Sequence, residues 1–173
     1  MDVQSILSNI EQGAWALPEF QRGYVWSRLQ VRRLMDSLYK EYPVGSLLVW
    51  TTRTESASFR GDSEPGFGTV KLLLDGQQRI TTLYGLIKGE PPSFFDGNAE
   101  SFTNLYFNVE DESFEFYRPT VMKDNPAWIS VTEVMKSGGG AVSAISDQMD
   151  SLTLQGKLQT YLNRLQKLEN IAN

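Results

Sequence analysis

Apolar positions along the chain recur in two rhythms, one helical and one extended, and the residues between the runs punctuate them into elements. Ile6, Leu7 and Ile10 fall on one helical face behind Asp2, a residue suited to capping a helix start, and Gly13 is placed to end that helix. Val31, Leu34, Met35 and Leu38 repeat at the same spacing up to Pro43, with Ser27 and Gln30 in the pattern of a capping box. Two β-rich runs, Ser46 to Thr52 and Val70 to Leu74, predict buried strands joined through a Gly-, Ser- and Glu-bearing loop expected to be mobile. Asp75-Gly76 follows the second run directly. Ile80, Leu83, Tyr84 and Ile87 then mark a helix ended by Gly89 and Pro91, so this stretch reads as strand, tight turn, helix.

Asn104 to Val109 and Ser113 to Tyr117 flank Glu-Asp-Glu, which predicts a hairpin or two adjacent strands that extend a sheet. Ser130 with Glu133 repeats the capping-box pattern and opens a short helix that stops at Gly138-Gly-Gly140, a triple glycine read as a flexible joint. Leu154, Leu158, Tyr161, Leu162, Leu165, Leu168 and Ile171 then form one helical stripe. An apolar stripe left in water is unfavourable, so either it packs back on the domain or further chain covers it. Helices and strands together predict an α+β chain with a core over residues 1–136. Residues 137–173 read as a helical C-terminal extension, the start of a longer protein.

Composition narrows the chemistry more than the fold. A chain of 173 residues, 40% hydrophobic with nine Phe, seven Tyr and four Trp, holds enough bulk for one real core. Sixteen basic against twenty-one acidic residues leave a net charge of −5, which disfavours indiscriminate binding to a polyanion while allowing a local basic groove. With no Cys there is no disulfide, thiolate metal site or cysteine nucleophile. The absence of His removes the usual general base and the commonest zinc ligand. Chemistry is left to carboxylates, amides, Arg, Lys, hydroxyls or a hydrated metal. No apolar run has the length of a membrane span and Asp2 stands where a signal peptide would be basic, so a cytoplasmic protein without membrane contact is expected.

Two polar constellations stand out. In Leu72-Leu-Leu-Asp-Gly-Gln-Gln-Arg-Ile-Thr-Thr-Leu83, the amides of Gly76 to Arg79 open a helix and carry its partial positive charge, which makes an anion site. Arg79 adds a bidentate donor for phosphate. Asp75 can bind Mg²⁺ through water or orient a nucleophilic water, and Gln77 or Gln78 can hold that water. An equally direct reading makes Asp75 a helix cap and Arg79 half of a salt bridge. No Gly-x-x-x-x-Gly-Lys-Ser/Thr and no Gly-x-Gly-x-x-Gly occurs. The second constellation is Pro18-Glu-Phe-Gln-Arg-Gly-Tyr-Val-Trp26, in a loop that Pro18 keeps extended. There Arg22 can reach a phosphate, Gln21 a ribose or base edge, and Tyr24 or Trp26 can stack on a base. The plainer alternative places Phe20, Tyr24 and Trp26 in the core and pairs Arg22 with a carboxylate. Arg28, Arg32 and Arg33 on the helix that follows read as a solvated face rather than a nucleic-acid contact.

These two segments, together with Leu34-Met-Asp-Ser-Leu-Tyr39 and Tyr42-Pro-Val-Gly45, come in an order that resembles the N-terminal domain of GmrSD-type restriction proteins, also called domain of unknown function 262. The resemblance covers residues 15 to 89 closely and the remainder more loosely. It implies a ParB/sulfiredoxin-like mixed-sheet core with flanking helices, in which a polar loop and a strand-to-helix turn grip a nucleotide. It ties Asp75, Gly76, Gln77, Gln78 and Arg79 to nucleotide binding and hydrolysis, and aligns Phe20, Gln21 and Arg22 with an earlier family motif.

The expected ligands of a nucleoside triphosphate are thus Gln21, Arg22, Gly76, Gln77, Gln78, Arg79 and Thr81, with Asp75 and Gln78 as catalytic candidates and Mg²⁺ as companion ion. Relatives of this kind continue into a His-dependent nuclease that cuts modified or foreign DNA. This chain has no His, so cleavage is expected on a C-terminal nuclease domain or a partner subunit. The alternatives are a module that reads a DNA modification, and an interaction scaffold in which both motifs are structural.

Overall fold

The computed structural model describes residues 2–56, 58, 68–136 and 156–172. Helix α1 (Val3–Glu11) starts where the Asp2 carboxylate accepts the Ser5 N–H at 2.7 Å, and Gly13, at φ 70°, turns the chain away after it. Strand β1 (Trp15–Ala16) follows, and the polar loop leads to α2 (Arg28–Tyr39). The Ser27 N–H donates to Gln30 Oε1 at 2.9 Å at the start of α2, as the capping pattern predicts. Strand β2 (Leu48–Arg53) pairs antiparallel with β3 (Thr69–Asp75), β1 pairs parallel with the other edge of β3, and α3 (Gln77–Lys88) leaves directly from the end of β3.

The second half builds its own sheet. Strand β4 (Leu105–Asn108) and strand β5 (Ser113–Phe116) form the expected hairpin, α4 (Pro119–Met122) crosses over, and β6 (Trp128–Ser130) pairs on the far side of β4. The orders are β1-β3-β2 and β5-β4-β6, so the hairpin founds a separate sheet and does not extend the first. Helix α5 (Val131–Lys136) follows with Glu133 N–H reaching Ser130 Oγ at 3.4 Å, and α6 (Leu158–Glu169) closes the described chain. One mixed and one antiparallel sheet, with flanking helices and a C-terminal helix, make the protein α+β. The triple glycine, Leu154 and most of the loop between β2 and β3 lie outside the described residues.

One hydrophobic cluster joins both sheets and the helices, with Leu7, Val31, Met35, Leu86, Phe107, Ile129 and Leu165 fully buried. Removing each such side chain from water contributes about 1.5–3 kcal/mol. The C-terminal stripe packs back: Tyr161, Leu165 and Leu168 join this cluster, with Leu162 and Ile171 against it. The expectation that both early strands are buried is corrected for β2, where Leu48 is 58% and Trp50 50% exposed. With β3 on one side only, β2 is an edge, and an apolar run does not tell an edge from a centre. Among the described residues no helix is long and apolar enough to cross a membrane.

Candidate functional site

The site is built where the end of β3 passes into α3. Gly76 supplies the turn with φ +93°, which favours glycine, and a Cβ there would come within 2.3 Å of Leu47 Cδ2, so any other residue would also have to displace that side chain. Ile80 N–H is the first to close on a helical carbonyl, donating to Gly76 O at 3.0 Å. Helix geometry therefore leaves the amides of residues 76–79 without intrahelical partners and concentrates positive potential at the turn.

Three glutamines fasten the polar loop to this turn. Gln21 Nε2 donates to Leu74 O at 2.9 Å, Gln77 Nε2 donates to Arg22 O at 2.8 Å, and Gln78 works both ways, accepting Val25 N–H at 2.9 Å and donating to Gly23 O at 3.2 Å. Segments more than fifty residues apart in sequence are thus joined as two strands would be, with side-chain amides in the place of a ladder. Gly23 is the point of closest approach on the loop's other side: a Cβ there would lie 2.7 Å from Asp96 O, which accepts the Tyr24 N–H. Tyr24 is buried, edge-on to Phe102, with its hydroxyl 2.8 Å from Thr82 Oγ1. Thr82 gives its single proton to Gln78 O, so the Tyr24 phenol is the donor of that pair, and burial raises it to about 12.

The result is a pocket of about 220 Å³ lined by Gln21, Arg22 and Trp26 from the loop and by residues 74–79 from the turn. The structure brings six of the seven expected ligands to it; the seventh, Thr81, is buried at 2% exposure and does not line it. Of the two stacking candidates, Trp26 lines the pocket and Tyr24 belongs to the core.

Several expected roles change. The bidentate edge of Arg79, expected to face phosphate, instead donates to Val44 O at 2.7 Å and Ser46 O at 2.6 Å, with Asp75 Oδ2 3.3 Å from the same guanidinium. That leaves Arg79 two of its five N–H groups, and its side chain is only 15% exposed. Gln78 spends its amide on the loop backbone, which removes the expected water-holding role. Asp75 caps nothing, because Gly76 is the N-cap residue and no side chain satisfies the cap; its carboxylate is 73% exposed and paired with Arg79. Arg22 is exposed, and its side chain makes no hydrogen bond or ion pair with any described residue. On α2, Arg32 pairs with Glu115, and Arg28 donates to Glu100 O at 3.1 Å and lies over Phe116, so these two face protein. Among the described residues no group of three or more carboxylates offers a metal cage.

Sequence reasoning passed over the carbonyls of Val44 and Ser46. Their signal was Tyr42-Pro-Val-Gly45, whose Gly45 at φ +88° bends the backbone round Arg79.

Comparison with known proteins places this geometry in a family. The family model described as GmrSD restriction endonuclease, N-terminal domain, matches residues 3–170. The uncharacterized protein MJ0686 of Methanocaldococcus jannaschii is 34% identical over 96 residues, a stretch covering 48% of this chain and 17% of that protein. This chain therefore corresponds to a small part of its relative's length. The match spans every described element and shows that the chain belongs to the family of GmrSD restriction endonuclease N-terminal domains.

Proposed function

We propose that the pocket at the β3–α3 turn binds the phosphates of a nucleoside triphosphate and that the domain regulates a nuclease borne on another domain or a partner subunit that acts on DNA. One observation carries the reading. Every polar side chain that knits loop to turn is spent on backbone groups, while Arg22, on the pocket rim, is left without a partner among the described residues. An exposed guanidinium opposite helix-opening amides is an arrangement for a polyanion.

The volume sets how much of the ligand is held. About 220 Å³ is below the roughly 300–1,000 Å³ that encloses a whole drug-sized ligand, so the pocket takes the phosphates and leaves sugar and base outside, beside Trp26. Arg22 closes over the phosphates, the amides of residues 76–79 hold them from below, and Arg79 adds charge through the ordered turn. Asp75, exposed at the mouth, fits a Mg²⁺ ion held by one carboxylate together with ligand phosphates, the usual donor set for that ion. Bound there, Mg²⁺ supplies neutralisation of phosphate charge. If the domain hydrolyses its ligand, Asp75 is the remaining group that can orient a water, since Gln78 is committed to the loop.

A change in phosphate contacts shifts the loop, and the loop runs straight into α2, which gives a route to regulation. Only a differential affinity between two states can drive such a switch. The test is calorimetric titration of ATP, GTP, CTP and UTP, each with and without Mg²⁺. Binding of at least one, abolished by saturating tripolyphosphate, is the expected result. No binding of any triphosphate at millimolar concentration would overturn the reading.

A further inference from the structure

The largest cavity among those described lies elsewhere, on the outer face of the second sheet. In β4 the side chains alternate, so Phe107 points into the core and Tyr106 points out, beside its partner Ser130 in β6. Tyr106, Tyr117 and Trp128 line a pocket of about 520 Å³ on this face, with the Tyr106 and Tyr117 rings 5.3 Å apart. Trp128 of β6 and Met122 at the end of α4 are buried yet stand outside the main hydrophobic cluster, so together they form the apolar floor of this pocket.

The rim is polar. It carries Lys123, Asp124 and Asn125, the last with its Oδ1 already accepting the Ala127 N–H at 3.0 Å. That contact fixes the amide so that its Nδ2 donors are free for another partner. The pocket thus offers an exposed aromatic face, two phenols, an amide donor, one carboxylate acceptor and one ammonium. A proline-rich peptide wants an apolar groove between rings; this pocket is mainly polar, with rings that touch each other and leave no slot between them. A flat heterocycle that carries both donors and acceptors at its edge, next to a phosphate, matches better: the base stacks on Tyr117, its edge meets Asp124 and Asn125, and the phosphate meets Lys123. The volume lies within the range that encloses a ligand of nucleotide size.

We infer that this aromatic pocket is a second ligand site that takes a single unpaired nucleotide by its base, separate from the phosphate pocket at the β3–α3 turn. The nucleotide comes either free or as one unit of a single-stranded DNA segment, and both sources present the same base and phosphate.

The test uses the ¹⁵N-labelled full chain carrying Arg22→Ala, which weakens the first pocket, and because the two pockets share no lining residue the position of the shifts keeps the two proposals apart. Deoxynucleoside monophosphates, ribose 5-phosphate and a short single-stranded oligonucleotide are titrated in turn. Expected are shifts gathered at the Tyr106, Tyr117 and 123–125 amides and the Trp128 indole with the monophosphates, and none with ribose 5-phosphate. Tyr117→Ala is expected to weaken binding by about tenfold or more, the scale of one lost base–aromatic stack. Lys123→Glu, on the exposed rim, weakens it without touching the floor, and the dispersion of the spectrum reports that either variant is folded. An oligonucleotide that binds more tightly than the monophosphate identifies DNA as the source, and one that binds no better identifies the free nucleotide. Shifts of equal size with ribose 5-phosphate, or no shift at these residues with any probe at millimolar concentration, would overturn the inference.

Discussion

The turn between β3 and α3 and the turn between β4 and β5 are both polar, and an arginine ties each to a distant segment, Arg79 of α3 reaching residues 44–46 and Arg164 of α6 reaching the hairpin, yet they leave different things over. At the hairpin, Arg164 of α6 donates to Val109 O at 2.6 Å and Glu110 O at 2.8 Å and pairs with Glu112 at 3.1 Å. Tyr39 of α2 donates to the same Glu112 at 2.7 Å, and Tyr161 donates to Glu110 at 2.9 Å. Cations there meet carboxylates of the same chain. At the β3–α3 turn, Arg79 grips two carbonyls of residues 44–46, but the Arg22 side chain hydrogen-bonds to no described residue and Asp75 stays mostly in water. A closed set of charges holds structure, whereas a set left open at a pocket has room for a ligand. The contrast is sharp because no buried side-chain polar atom among the described residues lacks a hydrogen-bond partner.

The variant expected to break the open turn most severely is Gly76→Val. It places a β-branched side chain at φ +93° and drives its Cβ into Leu47, a loss of about 3 kcal/mol or more by denaturant unfolding. Arg79→Ala comes next: it strips two carbonyls of a charged donor and costs about 2–3 kcal/mol, read as a lowered Tm together with loss of triphosphate binding. Should it unfold no more easily than the wild type, its grip on residues 44–46 is not structural.

Tyr24→Phe is smaller, about 1 kcal/mol, because it removes one hydrogen bond to Thr82 while the ring stays packed. Its pH dependence is distinctive. Burial holds the folded phenol at about 12, above the unfolded value near 10. The protonated phenol is therefore favoured by folding, and its contribution is full below about pH 10 and lost as pH climbs through about 12. The stability gap between wild type and Tyr24→Phe is expected to shrink across that window; a constant gap would mean that the phenol is not held by the fold. Asp75→Asn has the smallest structural effect, under about 0.5 kcal/mol, since the carboxylate is exposed and caps no helix. Any triphosphate hydrolysis by the domain is expected to fall in this variant while affinity holds or rises. Hydrolysis at the wild-type rate would remove Asp75 from the chemistry.

Helices α1, α2 and α3 were legible because each combines a 3.6-residue apolar rhythm with a cap or a stop that acts locally, as at Asp2, Ser27 and Gly89. The hairpin was legible from Glu-Asp-Glu between two β-rich runs. Pairing partners were not: nothing local says that Trp15–Ala16 joins β3 in parallel or that Trp128–Ser130 completes a second sheet, since those bonds form between distant segments. The same divide runs through the site. The residue types at 21–22 and 75–79 led to the expectation of phosphate chemistry, and all seven do share one pocket. Which arginine is free and which is bound depends on where residues 44–46 fold, and that ties up Arg79 while Arg22 stays open.

The paired effect of Arg22→Ala on affinity and stability tests the division between gripping and open charges most directly. Triphosphate titration of the wild type and the variant, with thermal unfolding of both, is the measurement. Arg22 contributes one charge-assisted donor, worth about 1.5–3 kcal/mol, so affinity is expected to fall roughly ten- to hundredfold. The unfolding midpoint should stay within the small range of an ordinary surface substitution. Unchanged affinity, or a loss of affinity matched by a loss of fold, would contradict the assignment of Arg22 as the open cation of the pocket.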